Sequence, residues 1–145
     1  MIKKVLIMGL PGSGKTTLSN AIKDIIGKNV ITWNADEVRN TINKHLGFSL
    51  EDRIKQAETM KWLSDKIVET HHFCIVDFIC PTPETRAAFD YENAYVIWVD
   101  RIDAGRFDDT NKMFVPPEHY DVRVIDDGRS AERWAQEIVE TFYSW

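Results

Sequence analysis

GLPGSGKTT, residues 9–17, fits the pattern G-x-x-x-x-G-K-[ST], a loop whose backbone N–H groups curl around phosphate oxygens. That reading holds only where a buried strand enters the loop and a helix leaves it. Both conditions are met. Val5 to Met8 is an apolar run, and Leu18, Ala21, Ile22, Ile25 and Ile26 recur at i, i+3, i+4, i+7 and i+8, the signature of a helix with one buried face. The glycines permit the tight turn, and the helix N-terminus adds partial positive charge. Gly9, Gly12, Ser13, Gly14, Lys15, Thr16 and Thr17 form the expected nucleotide-binding set, with Lys15 on the β and γ phosphates and the Thr16 hydroxyl on Mg²⁺. ATP and Mg²⁺ are the implied cofactors.

Outward from this loop the pattern alternates. Gly27 closes the first helix, Val30 to Trp33 reads as a second strand, and Asn34 with Glu37 three residues on is a capping-box arrangement for a short helix running toward His45. GFSLEDR, residues 47–53, is a joint in which Gly47 ends one helix and Ser49 caps the next. The following helix carries Ile54, Ala57, Met60, Leu63, Ile67 and Val68 at helical spacing. Phe73 to Ile79 is nearly continuous in apolar residues, as expected of a strand covered on both faces. Thr82 and Pro83 open a helix through Phe89. Tyr95 to Val99 and Tyr120 to Ile125 are two further strands, and Ala131 to Phe142 a closing helix. Strands alternating with helices predict a three-layer α/β/α sandwich around a five-stranded parallel sheet, the fold of P-loop nucleoside triphosphate hydrolases. The whole chain, 1–145, reads as one kinase-like domain, with a polar, lid-like loop at about 101–118.

Composition narrows the partners. A net charge of -5 offers no broad basic field, which argues against nucleic acid. No apolar segment approaches the roughly 20 residues needed to span a bilayer, so no membrane partner is expected. The N-terminal apolar run passes straight into the glycine turn without a cleavage-site pattern, and the expected compartment is the cytoplasm. Cys74 and Cys80, six residues apart along an extended chain, stand about 20 Å apart, beyond disulfide reach. Cys74 reads as a small buried hydrophobe. His71, His72 and His45 sit where helix C-termini favour cations, and Trp62, Trp98 and Trp134 fall on apolar faces as core. A monomer or a homodimer is expected.

A phosphate loop says nucleotide, not reaction. Transfer needs an acid near the γ-phosphate, and there are two candidates: Asp36, just past the second strand and placed to orient an acceptor hydroxyl and take its proton, and Asp77, inside the third strand in a Walker-B-like position. Asp36 also suits the helix dipole, and Asp77 equally reads as a structural acid bonded to loop amides. Mg²⁺ is left to Thr16 with either Asp36 or Asp77, directly or through water. Arg39, three residues past Asp36 on the same helix face, and Arg53, past the joint, converge on an anionic acceptor, with Phe48 available to stack on a base. Singly they read as solvated arginines and a packing phenylalanine. Together they read as a site.

In these residues the chain resembles the adenylylsulfate kinases, which phosphorylate the 3'-hydroxyl of adenosine 5'-phosphosulfate with MgATP in sulfate assimilation. The resemblance runs from Met1 to about Asp100 through GLPGSGKTT, NADEVRNTINKHLGFSLEDR and VDFICPTPETR. The family's D-G-D-x-[VI]-R stands as NADEVR, so Asn34 replaces the first acid and Asp36 keeps the second. The resemblance implies that Phe48 stacks on the substrate adenine and that Arg39 and Arg53 bind its phosphosulfate. Gln56 stands for a family asparagine, and the family's S-F-I-S-P stands as Asp77 to Pro81, with Ile79 at the substrate and both serines replaced. The lid is shortened, with Phe107 as a candidate second aromatic and Arg101, Arg106 and Lys112 as unassigned cations. Two other readings remain: a kinase for another small hydroxyl substrate (nucleoside, sugar or 5'-hydroxyl end), the last of which needs a basic groove, and a weakly catalytic ATP-binding regulatory protein.

Overall fold

The computed structural model describes residues 4–105 and 108–142. Five strands form one parallel sheet in the order β2-β3-β1-β4-β5: β1 Lys4–Met8, β2 Val30–Asn34, β3 Phe73–Asp77, β4 Tyr95–Asp100 and β5 Val122–Ile125. In the central strand, β1, Val5, Leu6, Ile7 and Met8 are fully buried. Parallel strands require crossovers, here supplied by helices on both faces.

One face carries α1 (Lys15–Ile26) and α6 (Ala131–Phe142), whose Leu18, Ile22, Trp134, Ile138 and Phe142 pack on Val5, Ile7, Ile75 and Ile97. The other carries α2 (Ala35–Thr41), α3 (Leu50–Glu69) and α4 (Pro83–Phe89), which bury Val38, Ala57, Met60 and Phe89 against Leu6, Met8, Val76 and Val96. This is the expected α/β/α sandwich. Among the described residues no helix is long and apolar enough to cross a membrane.

Several boundaries differ from the sequence reading, each for a local reason. The second helix ends at Thr41 rather than near His45. Asn34 caps it by accepting from the amides of Asp36 and Glu37, at 2.9 and 3.2 Å. The reciprocal capping box is found at α4, where the Thr82 and Thr85 side chains each accept from the other's amide. The third strand stops at Asp77, and two residues past Phe78 the chain turns at Cys80, a left-handed residue with φ 49°. The segment expected as a polar, lid-like loop contains a helix, α5 (Asp108–Met113), whose Thr110 is only 3% exposed. Trp98 and Trp134 are core, but Trp62 is 60% exposed on α3, with the Lys66 ammonium 5.6 Å from its ring.

Cys74 and Cys80 are buried and free, and burial pushes both thiols up to about 12. The thiolate is the nucleophile, so an aromatic disulfide reagent at pH 8 labels neither in the folded protein and both in denaturant. Phe89 is fully buried with its ring 5.5 Å from Phe78. Phe89→Ala lowers stability by about 3–5 kcal/mol in urea unfolding. Trp62→Ala changes it by no more than about 0.5 kcal/mol.

Candidate active site

The strand ends place the chemistry. The phosphate loop leaves β1 beside the end of β4 so closely that a Cβ on Gly9 would lie 2.5 Å from the Val99 carbonyl oxygen; its φ of 151° is also one that side chains avoid. Gly12 and Gly14 also have positive φ, 83° and 105°, which lets the loop turn its amides inward. Lys15 is 9% exposed, and its Nζ donates to the carbonyls of Gly9 and Leu10 at 3.0 and 2.9 Å. The ammonium is thereby held over the loop. Thr16 and Thr17 are exposed on the first turn of α1. Ser13 is buried, and its carbonyl accepts from Arg101 Nη1 at 3.3 Å.

Across the sheet, Asn34 at the end of β2 is register-paired with Asp77 at the end of β3. Asn34 Nδ2 donates to Asp77 Oδ1 at 3.0 Å and to Thr16 Oγ1 at 3.3 Å, while Thr16 Oγ1 donates to Asp77 Oδ2 at 3.3 Å. Burial raises the Asp77 carboxyl above the usual carboxylate range, against the lowering effect of Asn34, Lys15 and Thr16. These donors suit a hard cation, because Mg²⁺ is commonly held by one or two carboxylates plus phosphate oxygens and water. No group of three or more His, Cys, Asp or Glu side chains fit to hold a metal occurs among the described residues. Asn34, which sequence reasoning treated only as a cap and a lost acid, is thus part of this cluster. Its place two residues before the acid of NADEVR was the available signal.

The joint at 47–53 is pinned from both sides. Gly47 N–H donates to Asp52 Oδ2 at 2.8 Å, and the Gly47 carbonyl accepts from Arg39 Nη1 at 2.7 Å. Ser49 Oγ accepts from the Asp52 amide at 3.1 Å, and the Phe48 carbonyl accepts from Arg53 Nε at 2.9 Å. Phe48 is 66% exposed, and the Arg39 and Arg53 guanidinium carbons stand 4.6 and 5.6 Å from its ring centre. Burial lowers the Arg39 pKa, and the charges of Asp36 and Asp52 act to raise it. Gln56 is 2% exposed and engaged internally, with Nε2 donating to the Ala35 carbonyl at 3.0 Å and Oε1 accepting from Asn43 at 2.7 Å. It fixes α3 to the start of α2.

One cavity of about 770 Å³ joins the two regions. Gly12, Gly14, Lys15, Thr16 and Thr17 line one part; Asp36, Arg39, Phe48, Arg53, Gln56, Asp77 and Ile79 line the rest. Thr110 of α5 also lines it, a residue without a sequence signal because it stands in a polar segment. Gly9 and Ser13 shape the loop from behind. Phe107 and Arg106 lie outside the described residues. Lys112 is exposed on α5.

Known proteins resemble this chain in sequence and in fold. An adenylyl-sulfate kinase of Oceanobacillus iheyensis is 38% identical over 81 residues, 54% of this chain and 41% of that one. A probable adenylyl-sulfate kinase of Aeropyrum pernix is 29% identical over 85 residues, 57% of this chain and 46% of that one. The chain therefore spans less than half the length of these curated relatives. In fold, it matches the Mycobacterium tuberculosis APS kinase CysC, solved in complex with AMPPNP and APS, with a TM-score of 0.84 over 97% of both chains at 21% identity. The family model for adenylylsulphate kinase matches residues 2–97, more than half of the sequence, and the chain belongs to that family.

Proposed function

We propose that this chain is an ATP-dependent kinase that transfers the γ-phosphate to the 3'-hydroxyl of adenosine 5'-phosphosulfate. The observation that carries this reading is the single cavity in which a phosphate loop faces a pair of arginines flanking an exposed phenylalanine. Lys15 and the loop amides bind the β and γ phosphates. Thr16 and Asp77 would hold Mg²⁺, with the Asn34 amide orienting both oxygens. When bound, the ion screens phosphate charge and favours in-line displacement. Asp36, exposed on the first turn of α2 at the cavity wall, accepts the proton of the attacking hydroxyl. Arg39 and Arg53 neutralise the acceptor's phosphosulfate, and Phe48 offers its ring to the adenine.

The reading is tested by following MgATP-dependent conversion of adenosine 5'-phosphosulfate to its 3'-phosphorylated product by chromatography. Lys15→Ala lowers this rate by at least about 10²-fold. ATP binding without product in the unsubstituted protein would overturn the acceptor, and other hydroxyl acceptors, or a regulatory role, would then take its place.

Arg53→Ala leaves ATP affinity within about twofold and weakens adenosine 5'-phosphosulfate at least about tenfold in calorimetry, the scale of one lost hydrogen bond to a charged group. Equal affinities in the two proteins would remove Arg53 from the acceptor site.

The two acids separate by their metal response. Asp77→Asn raises the Mg²⁺ concentration needed for half-maximal rate by about 10–100-fold. Asp36→Asn lowers kcat by about 10²-fold or more without that shift. The opposite pattern would exchange their roles.

A further inference from the structure

The segment after β4 touches both halves of the cavity through particular residues. Arg101 donates to the Ser13 carbonyl, and a Cβ on Gly14 would lie 2.9 Å from Arg101 Nη1. Gly105 rests on the phosphate loop: a Cβ there would lie 2.9 Å from Pro11 Cδ and 3.0 Å from the Pro11 carbonyl oxygen. Its backbone is gripped on both groups by one side chain, since Gly105 N–H donates to Asn111 Oδ1 at 2.6 Å and Asn111 Nδ2 donates to the Gly105 carbonyl at 3.1 Å. A neighbouring strand would pair with a residue in the same way.

Thr110 precedes Asn111 on α5, and adjacent helical side chains diverge by about 100°. It points elsewhere. Thr110 Oγ1 accepts from Arg53 Nη2 at 3.0 Å, with Thr110 at 3% and Arg53 at 6% exposure. A second contact with Arg53, the Phe48 carbonyl on Nε, fixes the same guanidinium at another edge. Beyond the helix, the Val115 amide donates to the Pro81 carbonyl at 2.8 Å, and the Val115 carbonyl accepts from Arg86 Nη2. The far end of α5 is therefore anchored to the body of the domain.

We propose that Thr110 and Asn111 are positioning residues that join the two halves of the site: Thr110 sets the Arg53 guanidinium in the acceptor pocket, and Asn111, through Gly105, holds the same helix against Pro11 of the phosphate loop. The names of the two halves rest on the kinase reading above; the bridge between them rests on the distances alone. Occupancy of the phosphate loop fixes Pro11, and through Gly105 and Asn111 it orders the helix that orients Arg53. Donor and acceptor binding are then coupled, and reciprocally so.

The test uses the full chain in two measurements. In calorimetry with adenosine 5'-phosphosulfate, Mg²⁺ with the non-hydrolysable analogue AMPPNP tightens binding at least about fivefold in the unsubstituted protein. Thr110→Val, which keeps the shape and removes the oxygen, weakens adenosine 5'-phosphosulfate about tenfold while AMPPNP affinity stays within about twofold, and Thr110→Ser restores it. Asn111→Ala abolishes the enhancement by AMPPNP. Unchanged acceptor affinity in Thr110→Val, or a full enhancement in Asn111→Ala, overturns the proposal. The second measurement needs no acceptor. AMPPNP with Mg²⁺ slows amide hydrogen exchange in residues 108–115 of the unsubstituted protein but not of Asn111→Ala, while slowing the phosphate loop in both. Equal protection of 108–115 in the two proteins overturns the bridge, whereas failure of adenosine 5'-phosphosulfate to bind with this protection intact overturns only the identity of the acceptor.

Discussion

The passage of Gly9 over the end of β4 is the contact on which the site depends. The loop must leave a central strand and reach the start of α1 while turning its amides toward one point, and the Val99 carbonyl leaves no room for a side chain where it crosses. Because β1 lies between β3 and β4, this crossing brings the loop beside the C-terminal ends of both neighbours. Asp77 comes from one and Arg101 from the other. In parallel sheets ligand sites gather at these strand ends, where helix N-termini and loop amides also point. Asn34 reaches the cluster one strand further out, through its register with Asp77.

The arginine side of the cavity is built differently, from a short joint rather than from the sheet. Residues 47–53 are an intersection of local hydrogen bonds: Asp52 takes the Gly47 amide, Arg39 the Gly47 carbonyl, Ser49 the Asp52 amide and Arg53 the Phe48 carbonyl. The same bonds that turn the chain between α2 and α3 fix the two guanidinium groups against the phenylalanine ring. The turn of the chain and the placement of the arginines are therefore one structure here. Moving the joint would move both cations.

The sequence displayed those features that rest on periodicity or on special backbone geometry. The phosphate loop announced itself by its glycines and by the apolar strand and amphipathic helix on either side, and the buried parallel sheet by runs such as FCIVDFI. Three features were hidden for physical reasons. The helix Asp108–Met113 has six residues, DDTNKM, with no apolar stripe; what ties it to the domain is a hydroxyl and an amide making polar contacts, which hydropathy does not register. Asn34 looked like a lost acid, but its amide donates to the Asp77 carboxylate and the Thr16 hydroxyl, and a donor role depends on a partner 43 residues away. Trp62 followed the helical stripe in type but not in angle, and the edge of α3 leaves it in solvent. Gln56 lines the cavity, and its amide is also held by the backbone of Ala35 and the side chain of Asn43, so it supports the helix that carries Arg53.

The two arginines beside Phe48 are held in part by neutral oxygens. Two of the groups that hold Arg53, the Phe48 carbonyl and the Thr110 hydroxyl, are neutral, as is the Gly47 carbonyl that holds Arg39. At Arg39 the neutral acceptor orients the guanidinium without cancelling its charge, whereas a directly bonded carboxylate would have to be displaced by an anionic ligand at the cost of a desolvated acid. Asp36 and Asp52 act on Arg39 through charge alone and leave its bonded oxygen a carbonyl. In a chain with net charge -5, the positive charge at this cavity comes from individual side chains such as Lys15, Arg39 and Arg53. Of these neutral partners, the joint at 47–53 supplies the two carbonyls and the segment after β4 supplies the Thr110 hydroxyl.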